Sequence, residues 1–199
     1  MASTVGHGLC GVALALTLAV ANKQYRAALP LRELAFVAVL ANLPDIDFLL
    51  GMIFFADPQH LHGGFTHTFA FALAVGAVIG LWLKRWWALE RPWWFYSLVV
   101  ASHPVVDSLA GPNVGLNATK GYALLWPLSE QRLPMPVTLF PGPRHDTVAR
   151  LFSAHNIWVV VYEIAVFGAV LLMLLALVIY LSRRSVRVVR EQSMRTDRT

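Results

Sequence analysis

The sequence predicts an all-α integral membrane protein with about five transmembrane or partly embedded helices and an outer loop between the fourth and fifth. Three observations carry this reading. Of 199 residues, 57% are hydrophobic and only 14% are charged, and the mean hydropathy of +0.59 lies outside the range of a soluble domain. The apolar residues gather into five segments. Lys and Arg are unequally shared between alternate connections, as they are when those connections lie on opposite sides of a membrane.

The first segment, about 8–21, is short for a span, and the second, about 34–55, is interrupted by Pro44. These two are therefore expected as half-helices or as helices sunk among neighbours. The third runs from 66 to 83, with Thr66 placed to act as its N-cap, and the fourth from 93 to 109. The fifth, 157–181, is long enough to cross with tilt and is the clearest transmembrane helix. Between the last two, 110–156 is rich in Pro and Gly and reads as an ordered outer loop or a short lid. Residues 1–182 make one helical membrane domain, and 183–199 a basic, disordered cytoplasmic tail.

Lys23, Arg26, Arg32, Lys84, Arg85, Arg91 and six tail arginines occupy one set of connections; the other holds Lys120, Arg132, Arg144 and Arg150. The positive-inside rule then puts the N-terminus outside and the C-terminus in the cytoplasm of a multi-pass protein. Trp86, Trp87, Trp93 and Trp94 flank the third connection as an interfacial belt would. The net charge of +5 owes much to the tail, which reads as a membrane flank, so no nucleic-acid partner is expected. The start, MASTVGHG, lacks a positive n-region, and no secretory signal peptide is expected. Cys10 excludes an internal disulfide and reads as a small buried side chain. Asn117-Ala118-Thr119 matches a glycosylation acceptor pattern.

On this topology all seven histidines, His7, His60, His62, His67, His103, His145 and His155, fall at outer ends of segments or in outer connections. Asp45, Asp47 and Asp107 lie toward the same side, with Glu163 two turns inside the fifth segment. His103 and Asp107 stand at i and i+4, a spacing that puts them on one helical face, although Pro104 can kink the helix between them. Two glycines between His62 and His67 supply a turn that can fold the pair together. If Asp45-Ile46-Asp47 is extended after Pro44, both carboxylates face one side; if a helix begins at Pro44, they diverge and only one reaches a given metal. Acids at membrane depth are expensive, and two unpaired ones are better explained by divalent cations. His60, His145 and His155 read as surface residues, and Glu163 as a partner of His155 or Arg150. Mixed nitrogen and oxygen ligands suit zinc, manganese or iron in a catalytic role, with room for two metals or more.

The early His7, the stretch LPDID with Asp45 and Asp47, HGGFTHT with His62 and His67, SHPVVDSL with His103 and Asp107, and LLWPLS at Leu124 to Ser129 occur in that order. In this combination the chain resembles the membrane-bound metal-dependent hydrolases typified by the YdjM inner-membrane proteins of bacteria. The resemblance implies a multi-helix inner-membrane protein with these His and Asp residues as ligands and a hydrolase activity similar to that of zinc-dependent phospholipase C and related nucleases; zinc is the expected metal. The chain departs from the pattern HRGxTHS at Gly63 and Thr68. Lys120, Arg132 or Arg144 are candidates for the phosphate-orienting cation that the missing Arg would supply.

The expected function is hydrolysis of a phosphoester, with a phospholipid or other lipid-linked phosphate as substrate. Asp45 or Asp47 would orient or deprotonate a metal-activated water. A divalent-metal transporter or sensor would use the same ligands but needs a polar path to the inner side. A structural membrane protein would need only buried polar pairs.

Overall fold

A computed structural model of the chain describes residues 1–21, 29–57, 60–86, 91–144, 150 and 152–196. Its helices are α1 (Thr4–Ala21), α2 (Leu31–Leu40), α3 (Ile46–Phe55), α4 (Phe69–Trp86), α5 (Trp93–Ser108) and α6 (Ala154–Thr196), with short 3-10 turns at Leu43–Asp45 and Phe65–His67. His145 and the basic residues Lys23 and Arg26 lie outside the described residues, as does Trp87.

The second apolar segment is broken where Pro44 predicts. α2 ends at Leu40, a 3-10 turn carries Pro44 in its first positions, and α3 then starts at Ile46. Proline tolerates a first turn because the N–H it lacks would have no intrahelical partner there. In α5, by contrast, the helix runs through Pro104 without ending, so His103 and Asp107 keep their common face. No Gly or Pro follows Gly168 in α6, and its backbone stays helical through the basic stretch read as a disordered tail.

Among the described residues, α1 and the Ala154–Leu177 part of α6 are long and apolar enough to cross a membrane. α2 with Leu43–Phe55 makes a third span if the pair, bent by 46°, is one broken crossing. Of the about five transmembrane or partly embedded helices expected, two or three thus qualify as spans among the described residues. α5 has 16 residues, fewer than the roughly 20 that a bilayer core requires, and Lys84 and Arg85 occupy the last turn of α4.

α4 and α5 pack along each other at backbone range: a Cβ on Gly76 would stand 2.2 Å from the Ser97 amide nitrogen, the kind of close approach that small residues permit between membrane helices. α1 is wedged between α2, α5 and α6. Val37, Phe95, Tyr96, Val99 and Val100 fill the core among α1, α2, α4 and α5. At one end of α2, Arg91 Nε donates to Glu33 Oε1 at 2.9 Å, and Glu33 is buried.

The chain after α5 is ordered, as the loop-or-lid reading expects, but it contains a strand pair that an all-α reading omits. β1 (Ala110–Gly111) pairs in parallel with β2 (Phe140–Pro141). The amides of Leu139 and Phe140 both donate to the Leu109 carbonyl, and Phe140 stacks on Phe167 of α6 with ring centroids 5.2 Å apart. Burying Phe140 contributes roughly 2 to 3 kcal/mol, and this contact ties the loop to α6 over one end of the helices.

Candidate metal centre

Four ligand atoms converge from three elements. Asp45 comes from the 3-10 turn after α2, His67 from the turn before α4, and His103 and Asp107 from α5; one ligand atom from each lies within 4.8 Å of all the others. His103 Nε2 is 3.2 Å from His67 Nε2 and from Asp45 Oδ1. Asp107 Oδ2 lies 3.4 Å from His67 Nε2 and 3.5 Å from His103 Nε2. Neither Asp45 Oδ1 nor Asp107 Oδ2, both buried, is reached by a hydrogen bond of acceptable geometry.

The neighbours of the two imidazoles fix which nitrogen carries the proton. His103 Nδ1 lies 2.9 Å from the Ala41 carbonyl oxygen, which only accepts, so Nδ1–H donates and the lone pair stays on Nε2. For His67 the same result arises through a hydroxyl. Thr66 Oγ1 donates to Asp47 Oδ2 at 2.5 Å, and at 3.0 Å it accepts from His67 Nδ1–H. In their neutral forms both rings would therefore turn an Nε2 lone pair toward the two unpartnered carboxylate oxygens. Such a donor set, two imidazole nitrogens and two carboxylates, fits a divalent transition ion. Burial alone would lower the His67 pKa, but Asp107, Asp45 and Asp47 outweigh it and push it up to about 11, so without an ion this ring holds a second proton on Nε2, the position a metal cation would take instead. The site holds positive charge strongly.

Asp45 and Asp47 diverge, the outcome expected if a helix begins at Pro44. Asp47 joins His62 and His67 in a second group of possible ligands, but its oxygens are already engaged. His62 Nδ1 lies 3.0 Å from Oδ1, and both the Gly63 amide, at 3.2 Å, and the Thr66 hydroxyl donate to Oδ2. A carboxylate so surrounded orients His62 and His67; Asp45, with an unpartnered oxygen, is the better ligand. Gly63 has a positive φ of 74°, and a Cβ there would come 3.0 Å from the Tyr122 ring. Its lack of a side chain lets the turn bring His62 back to Asp47.

His7 belongs to neither ligand group. Its ring stacks on His103 with centroids 3.6 Å apart, and its Nε2 is 3.0 Å from Asp107 Oδ1. The Ala2 amide donates to that same Oδ1 at 2.7 Å. These contacts hold Asp107 from behind and leave Oδ2 facing the cluster. His155 and Glu163 are likewise outside both groups: His155 Nε2 donates to the Gly142 carbonyl, and His60 stacks on Phe55.

The roles of Thr66 and Glu163 differ from those expected, and Tyr122 escapes sequence reasoning altogether. Thr66 is not the cap of α4; Thr68 is, its Oγ1 accepting the Phe71 amide at 3.1 Å, and Thr66 is thereby freed for Asp47. Tyr122 stacks on His67 with centroids 5.3 Å apart and planes within 12°; its position two residues before LLWPLS was the available signal. Glu163, buried in α6, accepts the Ser3 amide at 2.9 Å and the Ser3 hydroxyl, which fixes the segment that carries Ala2 onto Asp107.

Removing the Glu163 acceptor is therefore expected to act at a distance. Glu163→Leu should weaken zinc binding by about tenfold or more, as loss of an orienting partner does, while Glu163→Gln, which still accepts from Ser3, should lose less. Calorimetric titration of zinc into the two apoproteins checks this; equal affinity in Glu163→Leu and the wild type contradicts it.

A cavity of about 640 Å³ opens beside the cluster. Asp107 and His62 lie on its wall with Lys120, Arg132, Arg144 and His155, and Asp107 is the only carboxylate among its lining residues. The cavity therefore suits an anion.

The family model described as YdjM inner membrane protein matches residues 1–187. One similar protein is the inner membrane protein YbcI of Escherichia coli (strain K12), 33% identical over 111 residues that cover 54% of this chain and 61% of that protein. The chain thus matches about three fifths of that relative's length. No solved structure matches.

Proposed function

The chain belongs to the YdjM inner membrane protein family, and from that membership and the geometry of the cluster we propose that it is a membrane-embedded metal-dependent hydrolase of phosphoesters. The observation that carries the proposal is the meeting of four buried ligand atoms, two of them unpartnered carboxylate oxygens, beside a cavity lined by three cations. Asp45, His67, His103 and Asp107 would hold one divalent ion, zinc by the donor set, with manganese or iron as alternatives. When bound, the ion supplies Lewis-acid stabilisation of charge on phosphorus oxygens and a more acidic water.

The protein's own groups supply the rest. Lys120, Arg132 and Arg144 draw an anionic ester to the cavity and offset its charge. Asp47, through Thr66, keeps the proton on His67 Nδ1. Asp45, with 17% of its side chain exposed, is the cluster acid placed to take a proton from water as the new O–P bond forms and the ester P–O bond breaks; that proton then passes to the departing alkoxide. The site faces the outer side in a multi-pass arrangement with the C-terminus in the cytoplasm, a reading that rests on the Lys and Arg distribution. The transport alternative has less support, because Glu33, a buried acid remote from the cluster, is already paired with Arg91.

Purified protein reconstituted with zinc or manganese is expected to hydrolyse bis(p-nitrophenyl) phosphate, to stop on chelation and to resume on metal addition. No hydrolysis with any of zinc, manganese or iron overturns the proposal.

A further inference from the structure

Tyr122 belongs both to the ligand cluster and to the cationic cavity. One face of its ring lies against His67, and its edge is 3.0 Å from where a Cβ on Gly63 would stand. The Leu133 amide donates to the Tyr122 carbonyl at 3.0 Å, and the Phe69 amide donates to the Leu124 carbonyl at 2.9 Å. The first bond sets Tyr122 beside the Arg132 segment, and the second ties it to the start of α4. The ring is therefore held from several sides and has little freedom to turn away.

Tyr122 is half-buried and shares the wall of the 640 Å³ cavity with Asp107 and Arg132. Arg132 Nη1 reaches back to the Gly121 carbonyl at 3.4 Å, next to Tyr122. Burial, and then the charges of Asp107 and Asp45, push the Tyr122 phenol above its ordinary range, while Arg132 opposes them. Its hydroxyl thus lies within reach of the cluster acids and of a cavity cation together. Asp107 does not engage it in a well-formed hydrogen bond: Oδ1 is taken by the Ala2 amide, and Oδ2 has no hydrogen-bond partner. A plate for His67 needs no hydroxyl, since Phe would stack as well; a phenol among charged groups repays its desolvation by donating. Thr119, the other hydroxyl among the lining residues, is buried and already accepts the Met135 amide at 3.0 Å.

We propose that Tyr122 is a further catalytic residue, its hydroxyl donating a hydrogen bond to a non-bridging oxygen of the phosphoryl group that occupies the cavity against Asp107 and Arg132. In phosphoryl transfer the charge is spread over these oxygens. A neutral donor already fixed in place meets that charge without reorganising. Tyr122 keeps its proton throughout, and the O–P bonds that form and break are those of the ester hydrolysis. This inference rests on the hydrolase reading and adds to it a residue that touches the substrate.

The test uses zinc-loaded full-length protein in detergent micelles, with bis(p-nitrophenyl) phosphate as substrate and orthovanadate as a mimic of five-coordinate phosphorus. Tyr122→Phe keeps the ring on His67 and removes the hydroxyl. It is expected to lower kcat by about 100-fold or more, the cost of losing one donor of this kind, with KM and zinc affinity each within about threefold of wild type. Orthovanadate should inhibit the variant more weakly by a similar factor, and inorganic phosphate about equally. Tyr122→Leu, which loses ring and hydroxyl together, should lose at least as much kcat and bind zinc more weakly; it serves if the Phe variant does not fold. Wild-type kcat in either variant overturns the proposal while the hydrolase reading stands. So does a fall in Tyr122→Phe that a matching loss of bound zinc accounts for, because the residue then serves to hold His67. Wild type inert with zinc, manganese and iron overturns the hydrolase reading and this inference with it.

Discussion

Asp45→Asn is expected to abolish metal-dependent turnover and to weaken metal binding by well over about 100-fold, whereas Asp47→Asn should weaken it by about 10- to 100-fold. The two acids are two residues apart, and their environments set the difference. Asp45 Oδ1 is buried, has no hydrogen-bond donor and lies 3.2 Å from His103 Nε2. Replacing the carboxylate by an amide removes a ligand charge that nothing nearby replaces. Asp47 acts through its partners. An amide NH₂ where Oδ2 stands would face the Thr66 hydroxyl donor to donor, so the hydroxyl would turn its proton toward His67 Nδ1. The ring would then favour the tautomer protonated at Nε2, with no lone pair for the metal. Loss here is indirect and therefore smaller. Fluorescent-chelator competition with each purified variant measures both affinities; equal losses at the two positions contradict the division of roles.

The second large effect is on stability. Chelating the ion is expected to lower the thermal midpoint of the detergent-solubilised protein by of the order of 10 °C. A ligand present at 1,000 times its Kd stabilises by about 4 kcal/mol, and for a chain of this size each kcal/mol is worth roughly 2 to 4 °C. Removal also leaves Asp45 Oδ1 and Asp107 Oδ2 as buried, unpaired acceptors close together. Asp45→Asn should blunt the response, because the variant has little metal to lose. A midpoint indifferent to chelator in the wild type contradicts a folded-state metal.

Much of the site is legible in the sequence for one reason: ionisable residues are so costly at membrane depth that their presence calls for a partner. His62, His67, His103, Asp45, Asp47 and Asp107 come together in the fold. The i, i+4 spacing of His103 and Asp107 survives because α5 continues through Pro104. What periodicity does not carry is the direction of single side chains in irregular turns. Whether Asp45 and Asp47 converge depended on the 3-10 geometry after Pro44, and the role of Thr66 on whether Thr66 or Thr68 begins α4. His7 lies at the site, yet its contact is with the rear oxygen of Asp107, a distinction of a few ångströms between residues about a hundred positions apart. The number of helices able to cross a membrane alone is smaller than the number of apolar segments, because apolar content does not fix length: α5 is apolar but short. The pairing of β1 with β2 depends on about thirty intervening residues with no alternating pattern.

The central claim is that this chain binds a transition-metal ion through Asp45, His67, His103 and Asp107. Elemental analysis of the purified wild type beside the Asp45→Asn/Asp107→Asn double variant tests it most directly. The expected result is close to one zinc, manganese or iron ion per chain in the wild type and essentially none in the variant, with both eluting as the same folded species. A wild type free of transition metal after metal-replete expression, or a double variant that retains the wild-type content, contradicts the claim.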